Sequence, residues 1–124
     1  MISTIKFIDA NILLERWSNP KAKLLIENLD REKYCTSVLV LAEVYHKLKK
    51  KNIEYSFEYI RNIMGAIKVY DITQDDLFTA IKQDLDININ DRIHIATMKR
   101  NNTNIILSFD KDFDNDKTII REEI

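Results

Sequence analysis

The sequence predicts an α/β fold, a three-layer α/β/α sandwich around a mainly parallel central sheet of four to five strands, in one domain over residues 1–124. Three observations carry this reading. Short apolar or β-branched runs alternate with longer amphipathic stretches, the order expected when helices join parallel strands. Hydrophobic residues make up 45% of the chain and charged residues 31%, the balance of a soluble globular domain and not of a disordered one. No repeat, linker or low-complexity segment divides the 124 residues, a length that buries about two-thirds of the unfolded surface in one core.

The elements follow in order. Ile2 to Ile8 reads as the first strand. Asn19-Pro20 supplies an N-cap and a first-turn proline for a helix from Lys21 to about Glu32, with Ala22, Leu25, Ile26 and Leu29 at helical spacing. A short strand spans Lys33 to Thr36. Ser37 caps the next helix, whose Val38, Leu41, Tyr45 and Leu48 mark one face and whose Lys49 to Lys51 run suits the negative end of the dipole. A further helix covers Tyr55 to Met64 and ends at Gly65. Ala66 to Tyr70 is the third strand. Thr73-x-x-Asp76 opens a helix through Leu85 as a capping box, with Leu77, Phe78, Ile81 and Leu85 as its buried stripe. Asn90 caps a helix from Asp91 to about Asn101, Asn104 to Ser108 forms a fourth strand, and Lys117 to Arg121 adds an edge strand.

Composition excludes several classes of function. With Gly65 as the single glycine, no glycine-rich phosphate loop can be written. Nineteen basic against 20 acidic groups leave a net charge of -1, so contact with nucleic acid requires a local patch and not a global field. Cys35, the single cysteine, excludes an internal disulfide and a cysteine-based zinc cluster and points to a reducing cytoplasm. Val38 to Tyr45, the longest nearly uncharged stretch, is interrupted by Glu43 and falls far short of the roughly 20 residues of a membrane span. Lys6 and Asp9 stand where the apolar region of a signal peptide would run.

Four carboxylates stand in places that cost energy. Ligands of open parallel sheets gather at the carboxyl ends of the strands, and Asp9 and Asp110 each follow a predicted strand. Glu43 is the one charge in Val38-Leu39-Val40-Leu41-Ala42-Glu43-Val44-Tyr45, where an uncompensated carboxylate is expensive to bury. Asp91 sits at a helix start, where the dipole favours an anion. Singly, three have an ordinary explanation: a turn or cap for Asp9, a first-turn helix acid for Asp91, a solvated loop charge for Asp110 among Asp112, Asp114 and Asp116. Glu43 is harder to explain away, since a solvated Glu usually sits among other polar residues. Together they suggest one site. Two like charges about 4 Å apart repel by roughly 4 kcal/mol at the dielectric of a protein surface, so such a cluster needs a cation or raised pKa values. Oxygen donors without converging cysteines point to Mg²⁺ or Mn²⁺, one or two ions, and such a centre suits phosphodiester hydrolysis.

At these residues the sequence resembles the PIN-domain family, the metal-dependent nuclease fold that includes the VapC-type toxins of toxin–antitoxin operons. Asp9-Ala10-Asn11-Ile12-Leu13-Leu14 is similar to the family's opening D-x-N motif, and Ser37-Val38 through Ala42-Glu43-Val44 to its second acidic motif. Asn90-Asp91-Arg92-Ile93-His94-Ile95-Ala96-Thr97 resembles the third, and Ser108-Phe109-Asp110-Lys111-Asp112-Phe113 the [ST]-x-D-x-D-F ending. Ala10 departs from the pattern where many members carry a hydroxyl. The resemblance implies that Asp9, Glu43, Asp91 and Asp110 hold Mg²⁺ or Mn²⁺, supported by Asn11 and Ser108, and that RNA is cleaved by water to leave a 5′-phosphate. It also implies a cognate antitoxin and a homodimer. A housekeeping RNA-processing nuclease and a catalytically silent interaction module remain open alternatives.

Other constellations carry less. Glu43-x-x-His46 and Asp91-x-x-His94 have the spacing of di-iron bundles, but the strand signals oppose a bundle, and both histidines read as packing or solvated side chains. Asp112-x-Asp114-x-Asp116 with Glu123 mimics a calcium loop, yet Lys117 occupies the place of the obligatory glycine. Lys47, Arg92 and Lys111, close in sequence to Glu43, Asp91 and Asp110, are the candidates for RNA contact. Lys49, Lys50, Lys51, Lys99 and Arg100 extend that basic set.

Overall fold

In the computed structural model, which describes residues 4–124, five parallel strands form one sheet. In chain order the elements are β1 (Lys6–Ile8), α1 (Ala10–Leu14), α2 (Pro20–Glu27), β2 (Tyr34–Ser37), α3 (Val38–Lys50), α4 (Ser56–Ala66), β3 (Lys68–Tyr70), α5 (Gln74–Lys82), α6 (Ile89–Arg100), β4 (Ile105–Leu107) and β5 (Ile120–Glu122). A 3₁₀ turn at Lys111–Asn115 links the last two strands. The strand order is β3-β2-β1-β4-β5, every pair parallel. The chain leaves β1 toward one edge and later returns to β4 on its other side, so a topological switch lies between β1 and β4. Buried Phe7, Ile8, Ile12, Leu13, Ile95, Met98, Ile106 and Phe113 fill the core around the central strands.

Local chemistry sets most boundaries. Asn19 caps α2 through its side chain, with Pro20 at the first helical position. Ser37 Oγ accepts from Val40 N at 3.2 Å to open α3. Thr73 and Asp76 form the expected capping box of α5. Glycine is so scarce that asparagine closes two helices: Asn52 and Asn102 adopt left-handed φ values of 55° and 56°. Ile53 N donates to Leu48 O and Asn52 N to Lys49 O, while Thr103 N donates to Met98 O and Asn102 N to Lys99 O. Both sets form the Schellman pattern.

Several expectations are corrected. The first strand is three residues long, and Ile2 and Ser3 of its expected span lie outside the described residues. The short helix α1, missed in the sequence, begins directly at Asp9, its N-cap. Helix α2 stops at Glu27 because Asn28 turns its amide back onto Leu24 O and Asp30 then accepts two backbone N–H bonds in a tight turn. Gly65 does not end α4; it lies within the helix, and extended Ile67, buried in the core, breaks it. Asn88, not Asn90, caps α6. The expected edge strand lies later, at Ile120–Glu122.

Two apolar stripes are also turned. Leu77, Phe78 and Ile81 of α5 are exposed, because Asp76 and Ala80 face inward instead. Buried Asp76 accepts from the Arg100 guanidinium at 2.9–3.2 Å and from Thr97 Oγ1 at 3.1 Å, which fixes the rotation of α5 against α6. In α3 the buried positions are Val40, Leu41, Val44 and Leu48, leaving Val38 and Tyr45 each 40% exposed. Among the described residues no helix is long and apolar enough to cross a membrane.

Candidate metal centre

Asp9 is set by the end of β1. Its Oδ1 accepts from Ala10 N at 2.8 Å, the cap of α1, while its Oδ2 accepts from Ser108 Oγ at 2.7 Å and from Asn11 Nδ2 at 3.1 Å. Ser108 meets it from 99 residues away because β4 lies against β1 with Ile8 paired to Leu107. Fully buried Ser108 also accepts from Asn11 Nδ2 at 3.1 Å and from Asp110 N at 3.0 Å. Asn11 Oδ1 accepts from Phe109 N at 3.2 Å. One hydroxyl and one amide thus tie the two strand ends together and fix the Asp9 carboxylate.

The remaining acids arrive on helices. Asp91 occupies the third position of α6, where Asn88 Oδ1 accepts from its N–H at 3.0 Å and Asn88 Nδ2 donates to its Oδ2 at 2.8 Å. Helix α6 returns the chain toward the start of β4, so its own N-terminus lies at the carboxyl edge of the sheet, beside Asp9. Asp110 caps the 3₁₀ turn, its Oδ1 accepting from Asp112 N at 3.0 Å, and stands close enough to Asp91 for the two carboxyls to share a hydrogen bond. Glu43, in the second turn of α3, is partly exposed and points Oε1 at His94 Nε2, 2.9 Å away.

All six residues expected at the site, Asp9, Asn11, Glu43, Asp91, Ser108 and Asp110, stand at this one edge, in contact with one another directly or through His94. His94, which on sequence grounds reads as a packing or solvated side chain, packs with its ring centroid 5.9 Å from that of Phe7 and also reaches the cluster. The Asp91-x-x-His94 spacing, which puts both on one helix face, is the signal that could have found it. Asp9, Asp91 and His94 each offer one ligand atom, all within 4.8 Å of one another.

The electrostatics match this crowding. Burial pushes the Asp9 carboxyl up and the Glu43 charge adds to it, against the Ser108 hydrogen bond, the His94 imidazole and the Ala10 N–H. Asp91 is pushed up to about 7, first by burial and then by the charge of Asp9 and the neighbouring Asp110, with His94 opposing. Carboxyls held this close keep their charge only with a cation among them; otherwise protons take its place. The donor set, mostly carboxylate oxygens on buried and rigid supports, fits a divalent cation.

Around the cluster, Lys47 and Lys111 are exposed, and half-buried Arg92 donates through Nη1 to Gln83 O at 2.7 Å. The calcium-loop mimic is spoken for internally: Arg121 binds Asp114 and Glu123, and Asp116 accepts from Thr118 N and Lys99 Nζ.

Comparison with known proteins agrees with this architecture. The family model of the PIN domain matches residues 6–117. A toxin–antitoxin complex from Klebsiella pneumoniae contains a similar chain, with 21% identity, a TM-score of 0.74, and 96% of this chain and 99% of that chain covered. VapC20 of Mycobacterium tuberculosis, a toxin that cleaves the sarcin-ricin loop, is similar at 20% identity and a TM-score of 0.70, covering 87% and 92% of the two chains. VapBC2 from Rickettsia felis, bound to a promoter DNA fragment, is similar at 18% identity and a TM-score of 0.69, covering 96% and 98%. No curated protein matches the chain. A family match that takes in β1 through the 3₁₀ turn, and with them every acid of the cluster, establishes that the chain belongs to the PIN-domain family.

Proposed function

We propose that this protein is a Mg²⁺- or Mn²⁺-dependent endoribonuclease that hydrolyses RNA phosphodiester bonds and serves as the toxin of a toxin–antitoxin pair. The observation that carries the reading is the buried cluster at the β1–β4 switch point of a PIN fold, where Asp9, Asp91 and His94 offer ligand atoms within 4.8 Å of one another and Glu43 and Asp110 adjoin them. Asp9, Glu43, Asp91 and Asp110 are the residues that hold the metal. A divalent cation bound there supplies positive charge to the scissile phosphate and polarises the attacking water.

The chain's own residues do the rest. Ser108 and Asn11 keep Asp9 in one rotamer by donating to the same oxygen, so the carboxylate needs no reorganisation when its partner arrives. Asn88 holds Asp91 in the same way. Half-exposed Glu43 and Asp110 stand where substrate meets solvent. Exposed Lys47, one turn beyond Glu43, and Lys111, next to Asp110, are placed to take the flanking phosphates of a single RNA strand. The antitoxin partner is supported by two of the similar solved structures, which contain toxin and antitoxin together; a homodimer and a cytoplasmic location complete the proposal.

The test is cleavage of a panel of labelled RNAs by purified protein, with Mg²⁺ or Mn²⁺, with EDTA, and with Asp9→Asn. The expected result is cleavage lost by at least about a hundredfold in both controls. Activity surviving Asp9→Asn would overturn the proposed site. Co-purification with the product of an adjacent small reading frame, and suppression of cleavage by it, separates a toxin from an RNA-processing enzyme.

A further inference from the structure

We propose that His94 is itself a metal ligand through Nε2, making the centre a mixed nitrogen–oxygen site that selects a first-row transition ion, Mn²⁺ before Mg²⁺. The inference rests on reading the acidic cluster as a metal centre and adds a donor that the four-acid pattern of the family does not contain.

His94 is 0% exposed, and neither ring nitrogen makes a hydrogen bond of acceptable geometry among the described residues. Buried imidazoles normally satisfy both nitrogens, because an unpaired polar atom in the core costs the full desolvation of that group. Nε2 nevertheless stands 2.9 Å from Glu43 Oε1, which is itself buried and without a hydrogen bond, and 4.0 Å from Asp91 Oδ1. If Nε2 carries the proton, that N–H misses Glu43. If it does not, a nitrogen lone pair faces a carboxylate oxygen at a distance where two acceptors repel.

A cation between them removes the conflict. Two donors bonded at right angles to one octahedral ion at about 2.1 Å lie roughly 3 Å apart. The Nε2–Oε1 separation of 2.9 Å is that of adjacent ligands, and Asp91 Oδ1 at 4.0 Å is near the span of an opposite pair. The support is rigid, since Phe7 packs on the ring and α6 carries Asp91 and His94 one turn apart. Imidazole is a donor that hard Mg²⁺ takes up poorly and first-row divalent ions take up readily, so its presence sets the preference.

The experiment is pulsed electron paramagnetic resonance of Mn²⁺ on the full chain, read for coupling to a directly bonded nitrogen. Protein labelled with ¹⁵N-histidine replaces the ¹⁴N signature by that of ¹⁵N, with His46→Gln included to remove the other histidine; this requires no change at His94. In parallel, competition titration is expected to show Mn²⁺ bound at least tenfold more tightly than Mg²⁺, with the preference reduced to a few-fold in His94→Gln. Bound Mn²⁺ without histidine nitrogen coupling overturns the assignment and leaves the four-acid centre standing. Absence of Mn²⁺ and Mg²⁺ binding overturns both readings. Nitrogen coupling that survives in a folded double variant carrying His46→Gln and His94→Gln also overturns it.

Discussion

Ser108 is the residue on which the order of the site turns. Its hydroxyl donates to Asp9 Oδ2 and accepts from Asn11 Nδ2 and Asp110 N, so one oxygen couples two strand ends and two acids. Ser108→Ala leaves the part-buried Asp110 N–H without its acceptor, leaves Asn11 Nδ2 with Asp9 Oδ2 alone, and takes from Asp9 its shortest hydrogen bond. The expected cost is about 1–3 kcal/mol of stability, read by urea unfolding, and a 10- to 100-fold loss of Mn²⁺ affinity, read by titration. An alanine variant that binds Mn²⁺ as tightly as the parent protein would show that Asp9 needs no such support. Asn11, which shares the same oxygen of Asp9, is the partner whose simultaneous removal should cost less than the sum of the two single changes, because both act on one carboxylate.

At the scale of the element, asparagine takes the part that glycine plays elsewhere. Asn52 and Asn102 each sit one residue beyond a helix cap at positive φ and let the next residue's N–H reach back to the third-last carbonyl. Asn52→Gly should therefore leave the melting temperature unchanged or raise it. Asn52→Val forces a branched side chain into the left-handed region and should cost about 1–2 kcal/mol. Equal melting temperatures for the two variants would refute this account of the cap. These termini also show what a sequence hides. Asn19-Pro20, Ser37 and the Thr73–Asp76 box are legible because the capping residue and its spacing are written locally. The rotation of α5 is not, because a stripe of Leu77, Phe78 and Ile81 looks like a core face until Arg100 and Thr97 of another helix claim Asp76. Asn90 reads as the cap of α6 from its place before Asp91, but the part falls to Asn88, whose Oδ1 accepts from Asp91 N and whose Nδ2 donates to Asp91 Oδ2.

For the whole molecule, the sheet order was readable only as a class, since nothing local says that β4 lies against β1. That one adjacency creates the site, and it is why the acids were legible as four costly carboxylates while the Ser108–Asn11–Asp9 bonding among them was not. The same adjacency links stability to pH. Asp91 titrates near 7 in the folded chain against 3.8 in the unfolded one, and Asp9 is raised as well. Between those values the folded state holds more protons than the unfolded state, so stability falls as pH rises through the window and levels off above it. Asp76, Asp114 and Asp116 are lowered from 3.8 in the folded chain, and their contributions are lost at pH values below this window. In EDTA the melting temperature is therefore expected to fall from about pH 4 to about pH 7. Mn²⁺ binds the folded, deprotonated cluster, and at a hundred times its dissociation constant adds about 2.7 kcal/mol, or roughly 10 °C, at about pH 7.5. Asp91→Asn removes the raised carboxyl and should flatten the EDTA profile while abolishing most of the Mn²⁺ response. A melting temperature that climbs between about pH 5 and pH 7 in EDTA would mean that the cluster carries its charge by some other compensation than a metal ion, and an Asp91→Asn protein that Mn²⁺ still stabilises fully would mean that the ion binds without Asp91.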